Sequence, residues 1–417
     1  MDKLYKRLRY FVNQLSCIII CTWMCWPLFN VRTRVITVLS FFVLWLLTTD
    51  LRWLTRKLSK DLIFVCIFFM TFVPYIITGT LQYGDVGSNA IWVNAPLFFV
   101  GMFINHYYMY YKRDYIAVGR MAFVSLVMLS IGSIQTIRGL ESFPMASRIL
   151  ATQNSKNVLY EALGIGGYNF VYAAAFISIA LLYFIMRKTP ELKRPCKAFI
   201  VTVFALMLRM ILKASYAIAV ILILTAVGLL LVFKTKKRAY LLVFFGLLFL
   251  LVIPKNVIGD CIMKITRLFE GNVIGEKFTD LADVFLNNGL GGQTGARIGL
   301  YSMSLKAFLK NPLFGIYGPF GNINDRIGWH SGWLDLMGLY GLFSSLPMFI
   351  GILSNFKKQL LFYSGYSYYN FLLVTQLMFI LFGFINPLTY VYQIGFALFF
   401  ITPAVPFLSK TFTKKVK

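Results

Sequence analysis

Apolar runs of about 15–20 residues recur from one end of this sequence to the other. A helix needs about 20 such residues to cross the hydrocarbon core of a bilayer. Within lipid a helix satisfies its own backbone polar groups, which an open strand cannot do. Twelve spans are read along the chain, at about 10–29, 35–49, 61–78, 91–110, 115–135, 168–186, 198–212, 216–233, 239–254, 333–353, 361–383 and 389–408. The second and seventh are short for a full crossing. The first is too long, and too soon followed by another, to read as a cleaved leader.

Composition agrees. The 417 residues are 59% hydrophobic and only 13% charged, whereas a soluble domain carries about a quarter charged residues. Too few charges remain to cover a water-facing surface. A disordered chain, a disulfide-stapled secreted domain and an outer-membrane barrel with alternating strands are excluded on the same grounds. Cys17, Cys21 and Cys25 share one face of the first span and read as small packing residues.

The net charge of +26 points to topology rather than to nucleic acid. More than half of the 41 basic residues sit in short clusters between apolar runs, such as Lys3–Arg9, Arg52–Lys60, Arg187–Lys197, Lys234–Arg238 and Lys357–Lys358, with a last group at Lys410–Lys417. Basic short loops stay on the cytoplasmic side. Both termini then face the cytoplasm, as an even number of spans requires. The other side receives two loops of substance, about 136–167 and about 255–332. The whole of 1–417 reads as a single membrane domain, with 255–332 as a long extracytoplasmic loop inside it. Apolar spacing at Ile262, Ile265 and Phe269, and again at Leu300, Leu305 and Phe308, makes that loop helical in part.

Several chemistries lack their residues. There is no GxxxxGK[ST] phosphate loop, no HExxH, no Cys/His cluster, no DxD pair for a metal on a nucleotide sugar and no GxSxG elbow. No cofactor and no metal are called for. Only two histidines occur. His106, in Asn105-His106-Tyr107-Tyr108, reads as part of an interfacial aromatic belt. His330, in Gly328-Trp329-His330-Ser331-Gly332-Trp333-Leu334-Asp335, ends the long loop just before a span. A neutral imidazole at that interface is suited to take a proton.

Upstream run Thr294-Gly295-Ala296-Arg297 and Asn311-Pro312-Leu313-Phe314-Gly315. Arg297 opening a helix, the Pro-x-x-Gly turn at 312–315, and His330 heading a span that contains Gly338 and Gly341 resemble the bacterial O-antigen polymerase and O-antigen ligase superfamily. The resemblance covers about 45 residues, together with the span layout. It implies an all-α polytopic membrane protein of about twelve transmembrane helices, of the GT-C-like kind, in the bacterial cytoplasmic membrane with an outward-facing active site. The implied activity is glycosyl transfer from an undecaprenyl-pyrophosphate-linked oligosaccharide to a glycan acceptor. Polymerisation of O-antigen or capsular repeat units is favoured over ligation to the lipid A-core of lipopolysaccharide. Chain-length regulator and flippase proteins are the implied partners, beside the bilayer itself. A flippase or transporter is the alternative from another class.

The resemblance also leads one to expect a Ser-Arg or Thr-Arg pair at an outward helix end. Between spans seven and eight this chain has Leu212-Lys213-Ala214-Ser215-Tyr216 instead. Lys213 is therefore expected to supply the second cation, with Arg209 in reserve, while Arg297 grips the pyrophosphate bidentately. His330 takes the proton of the attacking hydroxyl. Asp335 is a candidate to orient the imidazole, and Tyr301 and Tyr317 to stack on sugar rings.

Overall fold

A computed structural model describes residues 2–50, 52–53, 58–77, 94–152, 154–186, 194–232, 255–267, 275, 279, 282–283, 286, 292–318, 320–322, 324–388 and 391–409. Among these, every regular element is helical: α1 (Asp2–Cys25), α2 (Pro27–Thr48), α3 (Lys60–Met70), α4 (Val73–Ile77), α5 (Ala95–Asn105), α6 (Tyr115–Ser142), α7 (Ala146–Ile149), α8 (Asn157–Ala162), α9 (Tyr168–Met186), α10 (Arg194–Lys213), α11 (Ala217–Val232), α12 (Lys255–Arg267), α13 (Gly292–Lys310), α14 (Gly332–Phe362), α15 (Tyr368–Gly383) and α16 (Tyr392–Phe396). A π-helical turn continues α5 over His106–Tyr111 and another continues α16 over Ala397–Ile401. Seven helices among the described residues are long and apolar enough to cross a membrane. The architecture is that of an α-helical membrane protein. The ninth expected span, 239–254, lies outside the described residues, as does part of the 255–332 loop.

Helix ends depart from the sequence reading in one instructive place. The second span was expected to start at 35. It starts at Pro27, whose ring presets the first helical turn, and runs 22 residues. Arg32 and Arg34 consequently lie within the helix. Arg34 itself breaks it, with φ 58 and ψ 174, and Trp23 Nε1 donates to the Arg34 carbonyl at 3.0 Å.

Polar groups in the helices are closed locally. Ser16, Thr33, Thr37, Ser125, Thr136, Ser178 and Thr375 each donate their hydroxyl to the carbonyl four residues back. No hydroxyl of this set then needs water. Arg9 closes the far end of α2, donating to the Thr48 and Thr49 carbonyls at 3.0 and 2.5 Å.

α9 is the central helix, the most deeply buried of the seven, and packs against α10, α11, α15 and α16. α5 and α16 cross closely because glycine stands on both: a Cβ on Gly101 would press on Phe396 at 3.2 Å, and one on Gly395 would strike the Phe98 carbonyl. Small residues at such crossings let backbones approach where no solvent drives packing.

α14 is broken at Gly341 (φ 61, ψ −171), and the break is mended by the 312–317 turn. Ile316 and Tyr317 donate their N–H groups to the Gly338 and Leu339 carbonyls at 3.0 and 3.2 Å. Leu342 and Phe343 donate theirs to the Pro312 and Leu313 carbonyls at 2.8 and 2.9 Å. The two segments exchange four backbone hydrogen bonds. Tyr75 Oη adds donations to the Phe314 and Tyr340 carbonyls at 3.1 and 2.9 Å. Gly315 (φ 68) lies so close to α14 that a Cβ would meet the Leu339 carbonyl at 2.5 Å, and a Cβ on Gly341 would collide with the Leu313 carbonyl. The Pro-x-x-Gly motif and the glycines of α14 thus form one construction, a clasp around a helix break.

Candidate functional site

His330 sits on a turn held from two helices. Gly328 N–H donates to Ser304 Oγ on α13 at 2.9 Å, and Ser304 Oγ donates to Asp335 Oδ1 on α14 at 2.5 Å. Asp335 Oδ2 accepts from the Ser331 N–H at 2.9 Å, while Ser331 Oγ accepts from the Leu334 N–H at 3.3 Å. This reciprocal cap begins α14. Gly328 packs so tightly on Leu300 that a Cβ would overlap its carbonyl. Trp329 is held at φ 57, a conformation of the kind kept where a functional residue must be aimed.

The turn fixes the imidazole. His330 Nδ1 lies 2.8 Å from the Gly328 carbonyl. A carbonyl only accepts, so Nδ1 carries the proton and the neutral ring presents its lone pair at Nε2. Asp335 was expected to orient this ring. The structure gives both its oxygens to Ser304 and Ser331 instead, so it orders the turn and the Gly328 carbonyl orients the ring.

His330 lines a cavity of about 1030 Å³. Arg297 and Tyr301 from α13 line it too, as do the start of α2 (Pro27, Asn30, Val31), the start of α9 (Tyr168, Asn169, Tyr172), Ser215 to Ile218 beside α11, and 385–387 after α15. The contributing ends of α2, α9 and α11 lie opposite to those helices' Lys/Arg-rich connections. Tyr301 Oη donates to the Ile385 carbonyl at 3.0 Å. Burial pushes its hydroxyl above the ordinary tyrosine value, and the neighbouring Arg297 guanidinium pulls it part of the way back.

A second guanidinium shares the cavity: Arg148 of α7. Its short helix is pinned by Ser147, which donates its hydroxyl to the Gly166 carbonyl at 2.5 Å and whose own carbonyl accepts from Tyr216 Oη at 2.8 Å. The charges of Arg148 and Arg297 both act on the Tyr172 hydroxyl. Neither has a carboxylate within ion-pairing distance among the described residues, and both are half-buried. Two cations outside any ion pair in a half-enclosed pocket suit an anion. Sequence reasoning passed over Arg148, though a signal was there. The Ser-Arg dipeptide sought between spans seven and eight stands at Ser147-Arg148, in the earlier 143–167 loop.

The other expected site residues lie elsewhere. Lys213 is not on the cavity wall; its Nζ pairs with Glu141 Oε1 at 2.8 Å, and Arg209 acts electrostatically on the same carboxylate. The pair answers why Lys213 is absent: an acid one helix away on α6 claims it. Tyr317 is buried and stacks on Tyr340, with ring centres 5.9 Å apart, so no face is left for a sugar. His106 packs beside the Trp53 and Tyr110 rings, 5.5 and 6.3 Å between centres. It is buried at the other end of the bundle, where its Nδ1 accepts from Lys358 Nζ at 2.9 Å and lies 3.1 Å from Ser59 Oγ. Lys358 also pairs with Asp61 at 3.0 Å, and Asn355 Nδ2 donates to that carboxylate at 2.6 Å.

No protein-family model matches the sequence, and no curated protein matches it. Fold and site define a class all the same: an α-helical membrane protein whose helix ends enclose a cavity holding two arginines and one histidine.

Proposed function

We propose that this protein is a metal-independent, inverting glycosyltransferase that polymerises polyprenyl-pyrophosphate-linked oligosaccharide repeat units at the outer face of the bacterial cytoplasmic membrane. The observation that carries the reading is the meeting of Arg297, Arg148 and His330 around one cavity. The acceptor hydroxyl oxygen attacks the anomeric carbon, and the bond from that carbon to the pyrophosphate oxygen breaks. The hydroxyl proton passes to His330 Nε2, and the electron pair leaves with the lipid pyrophosphate. Arg297 and Arg148 stabilise the charge that develops there. The apolar part of the wall, Pro27, Val31, Ile218, Ile221 and Val391, suits the first prenyl units. The positive-inside reading sets the cavity on the outer side, in a protein that the sequence reads as having about twelve spans.

The test is chain elongation by purified protein in detergent, supplied with lipid-linked repeat unit. The wild type makes a ladder. His330→Ala remains folded and makes none, the loss of a general base being worth about 10²–10⁴ in rate. Arg297→Lys is severely impaired, since an ammonium cannot reproduce the two-pronged grip. A His330→Ala ladder of normal length and amount would overturn the assignment. Ligation is separated by offering lipid A-core as acceptor. A transport reading draws on the two broken helices, α2 and α14, because interrupted helices line many transport paths. Elongation in detergent, where no compartment exists to cross, separates it from an enzyme.

A further inference from the structure

A second set of polar side chains on the same cavity wall takes no part in this scheme. Tyr392 is its hub: Asn30 Nδ2 donates to the Tyr392 hydroxyl at 3.2 Å, and Asn169 and Glu161 line the same cavity near it. Gln393 stands beside it. Gln393 is only 6% exposed, yet it lines the cavity and its amide makes no hydrogen bond to any described residue. A primary amide so far withdrawn from water, and opened only to a cavity, is left for a ligand to satisfy.

The chemistry of the set is not that of the arginines. A phosphate oxygen only accepts, so it has no use for amide oxygens and is repelled by Glu161. A sugar hydroxyl both donates and accepts, as each amide does. Trp329, 43% exposed, offers an aromatic ring in the same cavity. The volume of about 1030 Å³ lies at the top of the range for whole organic ligands. It exceeds what a pyrophosphate group needs.

We infer that Asn30, Asn169, Tyr392, Gln393 and Glu161 form a subsite for uncharged sugar units of the lipid-linked glycan, and that Glu161 excludes sugars bearing a carboxylate. The inference rests on the donor reading above and adds the class of glycan. The experiment measures saturation transfer by NMR to purified protein in nanodiscs. The probes are neutral disaccharides of hexose and N-acetylhexosamine, a uronic-acid disaccharide, and farnesyl pyrophosphate offered separately. The wild type is expected to bind a neutral disaccharide and to ignore the uronic acid. Gln393→Leu and Asn169→Leu are expected to weaken sugar binding about tenfold, the worth of one lost hydrogen-bonding partner, without changing farnesyl pyrophosphate binding. Glu161→Gln, at an exposed position where folding is not at stake, is expected to admit the uronic acid. Farnesyl pyrophosphate binding with no neutral sugar bound, or sugar binding unchanged in both amide variants, overturns the subsite alone. Sugar binding without farnesyl pyrophosphate binding overturns the donor reading and leaves the subsite standing.

Discussion

His330 presents Nε2 because one carbonyl, that of Gly328, has already claimed Nδ1. The same economy separates the basic residues at the cavity end of the bundle. A cation serves an anionic ligand only if no carboxylate holds it first, and Glu141 holds Lys213. Arg148→Ala is therefore expected to abolish elongation in the detergent assay while Lys213→Met leaves it near wild type; equal loss in both would return Lys213 to the site. Arg297 and His330 were legible because short local patterns mark them. Arg148 was not, since its place on the wall depends on how the 143–167 loop packs through Ser147, Gly166 and Tyr216. Asp335 shows the limit in reverse: its nearness in sequence to His330 was real, but its oxygens were already engaged.

Among the elements, apolar length made most of the helices readable, as burial in lipid demands a continuous run whatever else the helix does. The break in α14 was not readable from that signal. Gly341 lies within an unbroken apolar stretch, and the groups that satisfy the opened backbone come from 312–317, far up the chain. The clasp explains why a proline turn, two outer glycines and a histidine occur together: the first two fix the segment that carries the third. Gly341→Ala is expected to destabilise the protein by about 1–3 kcal/mol or more, from left-handed strain on a non-glycine residue and collision with the Leu313 carbonyl. Thermal unfolding followed with a thiol-reactive dye reports this, because Cys17, Cys21 and Cys25 are buried free thiols. Cys66 and Cys261, both exposed, are first changed to serine. An unchanged melting temperature would count against the clasp.

Across the whole molecule, the two ends of the bundle carry opposite designs. The cavity end leaves Arg148 and Arg297 outside any ion pair among the described residues. The other end buries a group in which Lys358 bonds to Asp61, Ser59 and His106 Nδ1, and Asn355 donates to Asp61. Nothing in the sequence pairs Asp61 with Lys358, 297 residues apart; only the packing of α3 on α14 does so. Removing one member strands a buried charge. Lys358→Met is expected to cost about 3–5 kcal/mol, and the double variant with Asp61→Asn to recover much of it, read by the same dye melt. A single variant as stable as wild type would show the pair to be idle.

The clasp at Gly341 also divides α14 into two rods with separate registers. The first rod, 332–340, carries the histidine turn and the second, 342–362, carries Lys358; 312–317 bonds to both. One residue inserted into the first rod turns everything before it by about 100° and swings the imidazole off its cavity. The same insertion near 349 is absorbed below the tie and leaves the imidazole's bearing unaltered.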